Sequence, residues 1–133
     1  MAYLEIFIGA AAAFMLGFLW YTALFGKAWQ AETGITDEQA QSNMAMTHGL
    51  AFVMMVIISY GLNYVVNMHE VAEQTFVHGA FHGFLSCALY AAPLIGVHYL
   101  YQRKSLKLFL IDAGYALAFF ALSAGVMAAL KLG

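Results

Sequence analysis

Four long runs of apolar residues, separated by short polar segments, dominate the chain. They cover residues 3–24, 44–67, 76–101 and 106–130. A helix needs about 20 mainly apolar residues to cross the hydrocarbon core of a bilayer. Each run is therefore predicted to form one transmembrane helix. Because these spans use nearly the whole length, residues 1–133 are expected to form a single transmembrane domain.

The composition supports lipid as the solvent of most of this protein. Of the 133 residues, 64% are hydrophobic and only 9% are charged, and the mean hydropathy is +0.79. A soluble domain carries about 25% charged residues, so there is too little polar surface here to cover a water-soluble globule. The bilayer is thus the expected partner. A net charge of -2 also provides no basic patch of the kind that nucleic-acid binding requires.

The connections between the spans add local structure. Residues 36–39, Thr-Asp-Glu-Gln, fit a capping box, in which the Thr and Gln side chains satisfy free amides at a helix start. A helix is expected to begin near Asp37, with the option that it runs straight into the second span. Pro93, the only proline, is expected to kink the third span. The predicted fold is an all-α bundle of four transmembrane helices with a short cytoplasmic helix before the second.

The basic residues predict an orientation. Lys27, Arg103, Lys104 and Lys107 lie on the first and third connections, and only Lys131 lies on the opposite side. Short loops rich in Lys and Arg stay in the cytoplasm. The first and third connections are therefore predicted to be cytoplasmic, with the N- and C-termini outside the cytoplasm.

Three stretches of the chain suggest a family. They are residues 19–21 (Leu-Trp-Tyr), 25–29 (Phe-Gly-Lys-Ala-Trp) and 106–115 (Leu-Lys-Leu-Phe-Leu-Ile-Asp-Ala-Gly-Tyr). The sequence resembles, over nearly its whole length, a bacterial membrane family known as domain of unknown function 1761. This resemblance implies a small four-helix protein of the bacterial inner membrane, and it brings no established activity or cofactor.

One group of candidate functional residues lies towards the predicted cytoplasmic side. Tyr21, His48, His98 and Asp112 come from four different spans. At a rise of 1.5 Å per residue, all four fall about 9–14 Å from the bilayer midplane. Polar residues at such depth are costly and are candidates for function. A carboxylate beside imidazoles could hold a proton, orient a histidine or contribute to a metal site. Alternatively, Asp112 hydrogen-bonds locally at the start of its helix, and the histidines reach headgroups.

A second group lies towards the predicted outer side and repeats every four residues. Its members are Ser59, Asn63 and Asn67 in the second span, and His78, His82, Ser86 and Tyr90 in the third. They could form a seam of interhelical hydrogen bonds, each contributing about 0.6–2 kcal/mol, or part of a solute path. His78 and His82 could share a transition metal, with a carboxylate from elsewhere completing the ligand set, although no Glu follows His78 as in zinc proteases. Glu5, Glu70 and Glu73 lie at or near this level. Gly79 and Gly83 beside them would let another backbone approach.

Three classes of function stay open at this point. The first is an oligomeric carrier or channel for a small solute or ion, lined by the two polar groups. The second is a structural or assembly protein whose polar residues only specify helix packing. The third is a protein that binds a metal, haem, quinone or lipid through the transmembrane histidines. An enzyme is not expected, because the connections are too short to build an active site above the bilayer. Small residues recur every four positions at Gly9, Ala13 and Gly17 and at Ala121, Gly125 and Ala129, and they fit packing within the chain and a homo-oligomer equally well.

Overall fold

The computed structural model describes residues 2–130, and this part of the chain is helical with no strand. Four helices are long and apolar enough to cross a membrane: Tyr3–Leu24, Met44–Asn67, Phe76–Tyr101 and Leu106–Leu130. We refer to them as the first to fourth long helices. The predicted all-α bundle of four such helices, with a short helix before the second, is confirmed. Lys131, used above to predict the orientation, lies outside the described residues.

The fourth long helix is central in the bundle. It packs most extensively on the third long helix and also on the first. The second long helix packs mainly on the first and less extensively on the fourth. The first and third connections meet at one end, where the Ser105 hydroxyl donates to the Glu32 carboxylate. We call this end, with Lys27, Arg103 and Lys104, the basic side. The opposite end, with the second connection at residues 68–75, is the terminal side.

The third and fourth long helices approach each other through small residues. A Cβ atom added at Gly79 would lie 2.6 Å from the Ala128 Cβ, and one added at Gly83 would lie 2.8 Å from the Ala124 Cβ. Ordinary carbon contacts are about 3.5–4.0 Å, so a larger residue would not fit at either position. The sequence suggested a close neighbour at these two glycines, and the structure identifies it as the fourth long helix.

The first connection contains two short helices, Gly26–Thr33 and Asp37–Gln41. The predicted capping box is confirmed, since the Thr36 hydroxyl accepts from the Gln39 N–H and the Gln39 side chain accepts from the Thr36 N–H. The option of a helix that runs straight into the second long helix is wrong. Asn43 has φ of 54°, a left-handed conformation that a continuous right-handed helix cannot contain. The sequence analysis also missed the helix Gly26–Thr33.

Two of the long helices contain a π-turn. In the third, the turn Cys87–Ala91 precedes Pro93, and the Ala92 N–H bonds to the carbonyl of Cys87, five residues earlier. Proline lacks an N–H and its ring clashes with the preceding turn, and π-helix occurs mostly as single turns of this kind inside α-helices. The structure thus places a π-turn just before Pro93, and the kink expected there stays a prediction. The second π-turn, Trp20–Leu24, ends the first long helix.

The interior of the bundle is tight and its surface is apolar. A buried cluster near the terminal side consists of Ile6, Leu62, Val66, Ala124, Met127 and Ala128. Large apolar side chains such as Phe18, Leu89 and Leu110 are well exposed on the outer faces of the helices. Water would penalise this surface at about 25 cal/mol per Å². It is the surface expected of helices that face lipid.

Candidate functional site

On the basic side, one carboxylate joins three helices. Asp112 of the fourth long helix accepts a hydrogen bond from the Tyr21 hydroxyl at 2.5 Å. Its other oxygen accepts from the Tyr99 hydroxyl. The Lys104 ammonium lies 4.6 Å from the centre of the Tyr99 ring. Hydrogen bonds to a charged acceptor contribute about 1.5–3 kcal/mol each. Asp112 therefore ties the first and third long helices to the fourth.

The two histidines predicted at this level do not join Asp112. His48 is exposed and its ring lies against Phe14, with 5.4 Å between ring centres. His98 is also exposed, and within residues 2–130 no hydrogen bond connects either imidazole to Asp112. The side chain that reaches Asp112 is Tyr99, which the sequence analysis missed. Successive residues of a helix differ by about 100° in direction, so His98 and its neighbour face different surroundings.

The alternative of local capping by Asp112 is also wrong. The Ser105 hydroxyl accepts from the Leu108 N–H at 3.1 Å, and Ser105 thus caps the fourth long helix. Asp112 lies beyond the first turn and bonds to Tyr21 and Tyr99 instead. Of the four residues predicted to lie at this depth, the structure brings together Tyr21 and Asp112.

On the terminal side, the row of the second long helix turns towards the first. The Asn63 amide donates to the carboxylate of Glu5, which is 1% exposed. Asn67 donates to the Asn63 side-chain oxygen at 3.0 Å. One turn further in, the Ser59 hydroxyl is buried and has no hydrogen-bond partner within residues 2–130. This half of the predicted row is an interhelical network with Glu5.

The row of the third long helix has different partners. Ser86 donates to the carbonyl of His82, one turn earlier in its own helix, and Tyr90 is 77% exposed. Within the described part of the chain, no hydrogen bond joins this row to the Asn63 network. The two rows therefore form separate clusters.

The second cluster contains three histidines. His78 and His82 are joined by a hydrogen bond of 2.8 Å between their Nε2 atoms. His69, from the second connection, lies with its ring centre 4.7 Å from that of His78 and 4.3 Å from that of His82. One ligand nitrogen from each of the three lies within 4.8 Å of the others. His69 was not predicted as a ligand, because no helical spacing relates a turn residue to the helix that follows it.

The second connection holds this arrangement in place. The Thr75 hydroxyl accepts from the His78 N–H at 3.2 Å and so fixes where the third long helix begins. The buried Gln74 side chain donates to the His69 carbonyl at 3.0 Å. A short 3-10 turn, Val71–Glu73, closes the loop between them. These bonds join the two ends of the connection to each other and to the start of the third long helix.

Backbone carbonyls set the tautomers of two of the histidines. His78 Nδ1 lies 2.9 Å from the Glu73 carbonyl, and His69 Nδ1 lies 3.1 Å from the Val65 carbonyl. A carbonyl oxygen can only accept, so each Nδ1 carries a proton and donates it. In the neutral ring the lone pair is then on Nε2, the atom that can bind a metal. A ligating histidine that donates its other N–H to a carbonyl is the usual arrangement in metal sites.

The geometry suits a small cation with nitrogen ligands. Zinc binds imidazole nitrogens at 2.0–2.1 Å, so two ligands of a tetrahedral site lie about 3.3 Å apart. On binding zinc, the Nε2 atoms of His78 and His82 would move about 0.5 Å further apart than in the hydrogen bond that joins them. His82 would then carry its proton on Nδ1 rather than on Nε2. The pocket beside the three rings is about 10 Å³ in volume, and Val66, Gly79 and Ala128 form its inner wall. That is room for about one water molecule or ion.

Comparison with known proteins identifies the family. A family model described as "Protein of unknown function (DUF1761)" matches residues 4–128. The chain belongs to the DUF1761 family. The resemblance inferred from the sequence is thereby confirmed. No curated protein and no solved structure matches this DUF1761 chain. The three histidines, the Asn63 network and Asp112 all lie within the matched residues.

Proposed function

We propose that this DUF1761 chain is an integral membrane protein that binds one divalent transition-metal ion through His69, His78 and His82. The observation that carries the proposal is the convergence of three imidazole nitrogens within 4.8 Å. Imidazole ligands suit zinc, copper, nickel and iron, and the carbonyl bonds of His69 and His78 leave their Nε2 lone pairs available.

The proposal includes a location in the membrane. The four apolar helices insert in a lipid bilayer, and the basic residues Lys27, Arg103, Lys104 and Lys107 keep the basic side in the cytoplasm. The metal site is then on the side away from the cytoplasm, near the membrane surface, together with both termini. In a bacterium this membrane is the inner membrane.

Metal titration of the detergent-purified protein, with any affinity tag removed, tests the binding. Zn²⁺ or Co²⁺ is expected to bind with a stoichiometry of one per chain in isothermal titration calorimetry. Loss of an outer-shell partner costs about 10- to 100-fold in metal affinity, so each of His69→Ala, His78→Ala and His82→Ala is expected to cost more than that. His48→Ala and His98→Ala are matched controls, because both histidines are exposed and lie outside the cluster. Unchanged affinity in the first three variants would refute the proposal.

The location has its own test. A single cysteine at Met68, in a Cys87→Ser background, is expected to react with a membrane-impermeant maleimide added outside intact cells. A cysteine at Gln102 is expected to react only after the cells are opened. The reverse pattern would contradict the orientation.

A carrier or channel for a small solute or ion is a second candidate. The observation in its favour is the buried Ser59 hydroxyl, which has no partner among the described residues and lies one turn from Asn63. A buried hydroxyl without a partner is costly, and a water molecule would satisfy it. This candidate requires that cysteines at Ser59, Asn63, His82 and Ser86 react with charged thiol reagents. If all four resist from both sides, the path does not exist.

Assembly of several copies stays a prediction. Native mass spectrometry of the protein released from detergent micelles reports the subunit number and any retained metal together. A single defined oligomer is the expected result for a carrier or channel, whereas the metal site, which lies within one chain, requires no partner.

A further inference from the structure

We propose that the metal ion at the three histidines keeps one open coordination position, filled by water and exchangeable for a small monodentate anion. This inference rests on the proposed metal binding and goes beyond it. In a closed site the chain supplies every ligand, whereas in the open site proposed here the ion can bind a molecule from solution.

The chain supplies three side-chain ligands to the proposed ion. Among residues 2–130, the group of metal-ligating side chains within mutual reach is His69, His78 and His82 alone. Glu73 borders the pocket, but its carboxylate is not part of that group, and the contact it provides is its backbone carbonyl, which fixes His78. Zinc takes four ligands in structural sites. Three imidazoles from the chain therefore leave a fourth position to solvent.

The side of the site that faces the bundle is mainly apolar. Val66, Gly79 and Ala128 in its inner wall have no side-chain donor atom, and the buried Gln74 beside them uses its amide N–H to bond the His69 carbonyl. The only cysteine, Cys87, lies five residues beyond His82 on the same helix, about 7.5 Å further along the axis. Within residues 2–130, the interior of the bundle therefore supplies no further imidazole, thiolate or carboxylate to this group.

The other side of the site is accessible from outside the bundle. All three histidines are partly exposed, and Glu73 at the edge of the pocket is exposed. The pocket has room for about one ion or water molecule, so a bulky ligand would stay at the rim while a small one could reach the metal. Water, or an anion of a few atoms, is the class of molecule that fits.

The test uses Co²⁺ as the metal and azide as the exogenous ligand. Co²⁺-loaded protein, dialysed in a buffer without coordinating anions and checked for one metal per chain, is titrated with azide while its visible absorption is recorded. The expected result is a saturable shift of the Co²⁺ bands with the metal content unchanged. The same shift is expected for Glu73→Gln, because the carboxylate of Glu73 is not a ligand in an open site.

Two results would overturn the inference in distinguishable ways. If Co²⁺ is bound but azide shifts the bands only in Glu73→Gln, Glu73 is the fourth ligand and the site is closed. If the wild-type protein retains no Co²⁺ after dialysis, the proposed metal binding itself fails. His98→Ala is the control for both, since it is expected to load with Co²⁺ and respond to azide like the wild type.

Discussion

The packing of the third long helix on the fourth gives the sharpest stability prediction. In Gly83→Ala, the new Cβ would lie 2.8 Å from the Ala124 Cβ and also press on the backbone carbonyl of Phe120. Neither contact can be relieved by a side-chain rotation, so the two helices must move apart by about 1 Å to restore ordinary contact distances. Overpacking of this kind costs about 1–3 kcal/mol.

A matched glycine on the second long helix provides the control. In Gly61→Ala the added Cβ meets no atom of the described residues within 4 Å outside its own stretch of helix, so only the helix propensity changes. Replacing a mid-helix glycine by alanine stabilises by about 0.5–1 kcal/mol. The same gain offsets part of the clash at Gly83, which leaves a net loss of up to about 2.5 kcal/mol.

Reversible unfolding in mixed detergent micelles measures both effects. The helical circular dichroism signal is followed while the fraction of sodium dodecyl sulfate is raised, and the free energy of unfolding is compared between variants. The free energy of unfolding of Gly61→Ala is expected to exceed that of Gly83→Ala by about 1–3 kcal/mol, because the helix-propensity gain is common to both variants and only the overpacking cost differs. If Gly83→Ala is as stable as Gly61→Ala, the close contact between the third and fourth long helices is wrong.

Two further predictions use the same assay. Ser59→Ala is expected to be neutral or to stabilise by up to about 1 kcal/mol, because the buried hydroxyl has no hydrogen-bond partner among residues 2–130. Ser123→Ala is expected to destabilise by about 1 kcal/mol, because its hydroxyl donates to the Gly9 carbonyl at 2.7 Å. A destabilised Ser59→Ala would instead indicate a bound water. Tyr99→Phe removes a hydrogen bond to Asp112 and is expected to lower the free energy of unfolding by about 1.5–3 kcal/mol. Tyr101→Phe, at an 85% exposed residue, is the control and is expected to leave it unchanged. Equal free energies of unfolding for the two variants would show that Asp112 does not hold the third long helix.

Part of the candidate site was accessible from the sequence. The spacing of four between His78 and His82 places both on one face of any helix, and they do contact each other. Tyr21 and Asp112 were placed at one depth from helix lengths alone, and they are hydrogen-bonded. These inferences held because they depend on the helical repeat and on the distance along the helix axis.

The inferences that failed depended on rotation about the axis or on the path of a turn. His98 and Tyr99 are at nearly the same depth, but only Tyr99 faces Asp112, and depth carries no information on which side of a helix faces the bundle. His69 reaches the third long helix because Gln74 and the turn Val71–Glu73 bring the chain back. No periodic pattern describes such a turn.

The sequence by itself determined the number of long helices, their lengths and the capping box at Thr36, because local apolar runs and backbone hydrogen bonding decide these features. Only the tertiary structure decided which helices are neighbours. It divided one predicted polar row into the Asn63 network with Glu5 and a separate histidine cluster. The physical reason is that small residues such as Gly79 and Ala128 let the fourth long helix pack closely on the third. That packing is a property of two distant segments together, and neither segment reveals it alone.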